Sequence, residues 1–504
     1  MENKILLICL FCFLSLPGYS QKKQNSSLIP SKPSEAPDYF CTWNVQGFAT
    51  GYQSSPTTRQ AMNEKNIFGT GKYEGWGNMF SRLHKDLYLV LDDAWDIPLN
   101  GDKGYYGSLI VDSGRFPTLL GQTPAQKLAA LTKKTKALGW KGLGLWICAQ
   151  KAPNLQIEND TTYWTERLNW MKDAGISYWK VDWGKDSKSA EWRTWLTELG
   201  KKVAPALIIE QAMTPTTMAT AEVYRTYDVE NVISIPHTID RVSKLLTALP
   251  KGQAVSIINC EDEPYIAVGL GCAIGIMRHS YNGNLPTGVQ DHAFPPVGKD
   301  LKSSLDEETR AVLWHRIALP FGIDKTDFYI DTAILHDYWT MKTNETWLKS
   351  HDKDGYKNAW QAPAIITRGL EKPTVVIKTG AFAPYILASK YPNGAIAVAS
   401  LGRTIDREYL KPKADVTLKI DALDKPFGIF GHYSSLTLQL DRPISFTRVL
   451  AQDLAGEIPV DITKQIITNG NKVTIPGALI DRVGLSAATN GDKSEPGMLL
   501  VFQK

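Results

Sequence analysis

Between about residue 38 and residue 330 the chain alternates short β-branched or aromatic runs with stretches of helical period, and this alternation narrows its fold most. The strand candidates are Tyr39 to Asn44, Leu87 to Asp93, Gly142 to Ala149, Tyr178 to Asp182, Ala206 to Glu210 and Val255 to Asn259. Thr123 as N-cap, Pro124 at the first helical position, Leu128, Leu131 and Leu138 on one face and Gly139 at the stop predict a helix between two of them. Another runs from about Asp160, with Trp164, Leu168 and Met171 inward and Gly175 closing it. Alternation of this kind implies parallel βα units. Several strands end in a polar or acidic residue, Asn44, Asp93, Asp182 and Glu210, and in a (β/α)8 barrel such strand ends converge on one mouth. A doubly wound open sheet also fits, but no Gly-rich phosphate turn follows a strand. The expected class is α/β, with a (β/α)8 TIM barrel over residues 38–345.

After about residue 365 the pattern changes to short strands with period-2 stretches, among them TVVIKTG, AIAVASLG, SLTLQL and MLLVF, which read as a C-terminal antiparallel β-sandwich over 365–504. A chain of 504 residues with 43% apolar and 21% charged side chains holds enough material for two such globular domains. Ahead of them, the apolar run Ile5 to Leu16, with Gly18 and Ser20 before Gln21, reads as a signal peptide over 1–20 and predicts a secreted or periplasmic protein. That run is about 12 residues, too short for a membrane span of roughly 20. The polar, Pro/Ser-rich residues 21–37 read as a linker. A net charge of +4, spread without basic blocks, argues against nucleic acid as a partner. Cys41, Cys148, Cys260 and Cys272 are too few for a disulfide scaffold, and buried thiols are the expectation.

Three clusters carry candidate chemistry. In Tyr178-Trp-Lys-Val-Asp-Trp-Gly-Lys185 strand alternation puts Lys180 and Asp182 on one face, where the ammonium keeps the carboxylate ionised as a nucleophile requires; a surface ion pair at a strand end is an equally good reading. In Leu89-Val-Leu-Asp-Asp-Ala-Trp95 an apolar strand ends in Asp92 and Asp93, acceptors suited to a ligand rich in hydroxyl donors, such as a sugar, with a helix N-cap for one and a calcium ligand for the other as the alternatives. Trp43 and Trp95 are candidates to stack on a pyranose, although core packing is as good an account. Tyr224-Arg-Thr-Tyr-Asp-Val-Glu230 offers Arg225 with Asp228 or Glu230 as a second carboxylate, and alone reads as a solvated loop. Glu261-Asp-Glu263 reads as an exposed acidic turn. The histidines show no HExxH or other metal spacing, so no metal is expected.

These motifs together resemble the α-galactosidase clan of glycoside hydrolases, families 27 and 36, over about residues 38 to 330. Leu91-Asp-Asp-Ala-Trp95 is similar to the clan's Asp-Asp-Gly-Trp strand end, and Trp179-Lys-Val-Asp-Trp-Gly-Lys185 to its Lys-x-Asp nucleophile strand. Asp306 to Asp324 resembles its late barrel helix with a proline-containing turn and an aspartate. The resemblance implies a retaining double displacement with Asp182 as nucleophile and Asp228 as acid/base, Glu230 being the rival because the family's acid falls on Val229. It further implies that Lys180 contacts sugar hydroxyls, Asp92 and Asp93 hold the C4 and C6 side of galactose, Glu210 and Arg225 hold the C2 and C3 side, and Trp43 forms a wall. Gly184 stands where family 27 commonly has a cysteine. The implied activity is a retaining exo-α-glycosidase without a cofactor, foremost an α-galactosidase acting on an oligosaccharide or polysaccharide. A β-L-arabinopyranosidase and a non-catalytic glycan-binding protein are the alternatives.

Overall fold

The computed structural model describes residues 26–49, 55–70, 75–157, 159–227, 235–277, 299, 304–340 and 357–504. The expected signal peptide, 1–20, lies outside them. Eight strands close a barrel in chain order: β1 (Tyr39–Cys41), β2 (Tyr88–Leu91), β3 (Gly142–Ile147), β4 (Tyr178–Val181), β5 (Ile208–Gln211), β6 (Val223–Arg225), β7 (Ile257–Glu261) and β8 (Ala273–Ile276). Every neighbouring pair is parallel, including β1 with β8. The six strand candidates correspond to β1 to β5 and β7. β1 is shorter than expected, because Trp43–Ala49 turns helical and Trp43 sits in its first turn instead of on the strand.

The two marked helices form as their end signals require. Pro124–Ala137 starts on a reciprocal pair between the Thr123 side chain and the Gln126 backbone N–H, and the Gln126 side chain answers to the Thr123 N–H. Asp160–Ala174 starts at Asn159 and stops at Gly175, which takes φ 68°.

Inside the barrel Tyr39, Cys41, Val90, Tyr178 and Met277 pack together. Room for the two tyrosines comes from glycine on the neighbouring strands. A Cβ on Gly144 would lie 3.0 Å from the Tyr178 Cβ, and one on Gly275 would lie 2.9 Å from the Tyr39 hydroxyl. The lumen is therefore a packed core with polar tips, and only its upper layer is charged.

The second lobe is a sandwich. An eight-stranded sheet, with Tyr385–Lys390 and Ile396–Leu401 at its centre, faces a five-stranded sheet built around Asp415–Lys419, Ser435–Gln439 and Lys472–Pro476. Ile386, Ala388, Val398, Val416, Leu436 and Val473 fill the space between them. Antiparallel pairs dominate, but Ile365–Arg368 runs parallel to Tyr385–Lys390, and Ile396–Leu401 runs parallel to Phe427–Gly431. The lobe begins earlier than residue 365: Phe328–Ile330 is the edge of the large sheet, and Ile334–Thr340 pairs with Lys357–Pro363 in a separate four-stranded sheet. A barrel ending at residue 345 is corrected accordingly.

Residues 26–37 have no helix or strand, yet they are not a free linker. The Leu28 N–H donates to Gln452 of the sandwich (2.7 Å), while the Ser34 N–H donates to Asp86 (2.7 Å) and its hydroxyl to the His315 carbonyl (3.0 Å). Asp86 also receives Arg316 at two points, 2.9 and 2.7 Å. This strap satisfies its backbone with side chains from both lobes, which a composition reading cannot foresee.

Between the lobes, Arg310 donates to both oxygens of Asp453 at 2.8 and 3.1 Å, and both side chains are buried. Removing one partner of such a pair leaves an uncompensated charge and costs about 3–5 kcal/mol, whereas apolar replacement of both is near neutral. Arg310→Met should therefore lose about that much stability in urea denaturation, and Arg310→Met with Asp453→Leu should regain most of it. Equal losses in the single and double variants would show that shape, not charge pairing, holds this contact.

Candidate active site at the barrel mouth

The C-terminal ends of β2, β4, β5, β6 and β7 bring Asp92, Lys180, Asp182, Glu210, Arg225 and Glu261 together, as convergent barrel strands must. Arg225 is the hub. Its Nη2 donates to Asp182 Oδ1 at 2.8 Å, its Nη1 to Glu210 Oε1 at 3.2 Å, and its Nε lies 3.7 Å from Glu261 Oε1. Glu210 is saturated from below, accepting from the Tyr178 hydroxyl at 2.7 Å and the Asn259 amide at 2.8 Å. It is wholly buried, so it positions Arg225 and its acceptors are already engaged.

Asp182 accepts from the Trp146 indole N–H at 2.7 Å on its other oxygen, and Arg193 donates to its backbone carbonyl at 2.7 Å. Burial pushes the Asp182 carboxyl up, but Arg225, Lys180 and the Trp146 N–H outweigh it and hold the carboxyl below the usual range. Burial and the Arg225 charge lower Arg193 itself to about 10. The Asp182 side chain is 11% exposed, against 3% or less for Asp92, Lys180, Arg225, Glu210 and Glu261. In this charged group Asp182 is therefore the member that a ligand reaches first.

Lys180 does not touch Asp182 directly. Its Nζ donates to Asp92 Oδ2 at 3.0 Å, beside the Cys41 thiol at 2.9 Å from the same oxygen. Asp93 points elsewhere: its Oδ2 accepts from Arg59 Nε at 2.6 Å, and its Oδ1 has no hydrogen-bond partner. Burial pushes the Asp93 carboxyl up to about 7 even against Arg59. Trp43 is half-buried and packs on the lumen cluster. Trp95 is not a stacking platform, because it is fully buried with its N–H on the Trp146 carbonyl (2.8 Å). Asp228 and Glu230 lie outside the described residues.

Two readings are overturned. Val223–Arg225 is a lumen strand and not a solvated loop, and Glu261, Asp262 and Glu263 are buried rather than an exposed turn. Asp262 takes φ 61° and accepts from the Met277 N–H at 2.6 Å, which seals β7 to β8. Tyr227, just past β6, also has positive φ (57°), so the backbone departs from its relaxed form twice beside Arg225. Trp146, Arg193 and Arg59 were missed. Only Trp146 had a signal, since Gly142, Gly144 and Trp146 share one strand face. Gly184 has φ 150° and abuts Ala149, whose backbone would lie 2.7 Å from an added Cβ, so this loop has no space for a cysteine.

No protein-family model matches the sequence, and no curated protein matches it. In structure the chain is similar to alpha-galactosidase I from Mortierella vinacea, at 11% identity over 93% of this chain and 96% of that one, with a TM-score of 0.40. It is also similar to a family 27 β-L-arabinopyranosidase from Geobacillus stearothermophilus (9% identity, 93% and 96% covered, TM-score 0.43). A third similar structure is the alpha-galactosidase of Saccharomyces cerevisiae (9% identity, 95% and 97% covered, TM-score 0.42). At these scores the likenesses add nothing to the case for an activity, which rests on the mouth itself.

Asp96 gives a separate test of the polar environment under the mouth. It is buried, its Oδ2 accepts from the Leu109 N–H at 3.1 Å, and burial raises its carboxyl to about 7. A raised folded value means that the folded state binds the proton more tightly than the unfolded chain, so stability is lost as pH rises from about 4 to 7. Asp96→Asn keeps the acceptor and cannot ionise. Its melting temperature relative to the parent should climb between pH 4 and 7 and level off above 7; a constant difference across that range would show that Asp96 ionises freely.

Proposed function

We propose that the mouth is the active site of a retaining exo-α-glycosidase, most directly an α-galactosidase, working outside the cytoplasm on terminal sugars of oligosaccharides or polysaccharides. The observation that carries this is Asp182: a carboxylate kept ionised by two cations and an indole N–H, and the most exposed member of the buried group. A carboxylate in that state attacks an anomeric carbon, and the bonds from Arg225 to Oδ1 and from Trp146 to Oδ2 fix its orientation while each oxygen keeps a further lone pair. The lumen sets Asp92, Asp182, Glu210 and Glu261 against Lys180, Arg225 and, below them, Arg193. Carboxylates outnumber cations, which favours the positive charge that develops on the sugar ring in an oxocarbenium-like transition state.

In this mechanism Asp182 displaces the leaving group and becomes glycosylated, while Asp228 gives the leaving oxygen its proton. Asp228 then takes a proton from water, which releases the sugar with its configuration retained. Retention asks for about 5 to 5.5 Å between the two carboxyl groups. No cofactor enters these steps. Lys180 fixes Asp92, and Glu210 with Tyr178 and Asn259 fixes Arg225, so these residues set geometry under the sugar.

The test is a panel of nitrophenyl α- and β-glycosides with three variants. Asp182→Asn should fold normally and lose turnover on every substrate the parent cleaves; parent-like turnover would end the assignment. Asp228→Ala should lose about 10²- to 10⁴-fold on alkyl glycosides, much less on aryl ones, and recover with azide to give an α-glycosyl azide. The same signature in Glu230→Ala instead would move the acid/base to that residue.

A further inference from the structure

The contact between Arg59 and Asp93 leaves donors and a buried acceptor unused. At Arg310, Arg316 and Arg403, each paired with a buried aspartate, all three guanidinium nitrogens are engaged, even though Arg403 meets Asp337 through Nε alone. Arg310 gives Nε and Nη2 to the two oxygens of Asp453, and Arg316 does the same to Asp86. Arg59 gives Asp93 only its Nε (2.6 Å), so Asp93 Oδ1 stays buried without a partner and the two Nη groups have none among the described residues.

The guanidinium is nevertheless held in place. It lies 5.4 Å from the Tyr106 ring centroid and 5.7 Å from that of Trp183, and its side chain is 19% exposed. Those rings continue the wall that leads to the nucleophile. Tyr106 and Trp183 meet at 4.9 Å, Trp183 meets Trp146 at 5.5 Å, and Trp146 donates to Asp182. A fixed, partly exposed guanidinium with its fork unspent thus stands at one end of an aromatic wall that ends at Asp182.

Guanidinium N–H groups only donate, so this edge cannot serve a neutral hydroxyl as a paired carboxylate would, and it favours a planar or tetrahedral oxyanion. We propose that Arg59 is a specificity residue that receives an anionic group, a carboxylate or a sulfate ester, on the terminal sugar whose anomeric carbon meets Asp182. The unspent Asp93 Oδ1 suits a hydroxyl beside that group, an arrangement found in hexuronic acids and in 6-sulfated hexoses. The inference rests on the glycosidase reading for its substrate, and on the Arg59 geometry alone for its ligand chemistry.

The experiment compares nitrophenyl α-galactopyranoside, its 6-sulfate and the corresponding α-galacturonide with the parent, Arg59→Gln and Arg59→Lys. The parent should prefer one of the anionic substrates in kcat/KM by about tenfold or more, and which one it is separates carboxylate from sulfate. Arg59→Gln should lose on the order of 10- to 100-fold on that substrate, mainly in KM, with a far smaller change on the neutral galactoside. Arg59→Lys keeps the charge on Asp93 and should fall between the two, and melting temperatures identify any variant that fails to fold. A parent that prefers the neutral sugar, or an equal loss on neutral and anionic substrates, overturns the proposal. Should the parent cleave none of the three, the galactosidase reading fails by itself; calorimetric titration with galacturonate, galactose 6-sulfate and galactose then still tests Arg59. Tighter binding of an anionic sugar that Arg59→Gln abolishes supports the subsite, and binding that ignores the charge or the variant overturns it.

Discussion

Arg225 is a guanidinium buried in the middle of a barrel, and the arrangement around it follows from the need to compensate that charge. Taking an ion of this size out of water is expensive unless its donors are met by acceptors of good geometry. Asp182 and Glu210 meet two of its nitrogens, and Glu261 stands by the third. Those carboxylates need donors in turn, which is why tyrosine hydroxyls and an asparagine amide fill the layer below, and why glycines on β3 and β8 make way for the rings. The network is closed on every side except toward Asp182, whose side chain is the most exposed of the group.

Much of the barrel was legible because parallel strands covered by helices leave strong local marks: β-branched runs, an N-cap with a capping box, glycine stops. The missing strands show what hides one. β6 is three residues long and ends in Arg225, so apolar patterning looked for a loop where the chain had placed a charge inward. Glu261 was hidden for the same reason, since a run of acids reads as surface unless a buried cation is known to wait for it. Lys180 and Asp182 were readable from alternation alone, yet their partners were not: Lys180 serves Asp92, and Arg225 rather than Lys180 grips Asp182. Arg59 left no mark in the sequence at all, because its helix and the end of β2 meet only in the fold.

The strap at 26–37 teaches a similar lesson about composition. Pro- and Ser-rich polar segments are written as if for solvent, but the same residues suit a chain that must lie flat and accept or give single hydrogen bonds to other elements. Ser34 and Leu28 do this against Asp86 and Gln452, which belong to different lobes.

The central strands of the sandwich have both faces buried. Leu387 and Ala399 turn toward the barrel side of the sheet, while Ile386, Ala388 and Val398 turn toward the five-stranded sheet. One strand thus serves two cores, and Arg310 and Arg368 spend their donors across the same boundary. Modular inheritance is closed to such a protein. Recombination at the seam would strand buried guanidinium groups and bare an apolar sheet face, so the barrel and its companion are expected to travel through evolution as a single heritable unit, with new specificity arising at the mouth rather than by exchange of lobes.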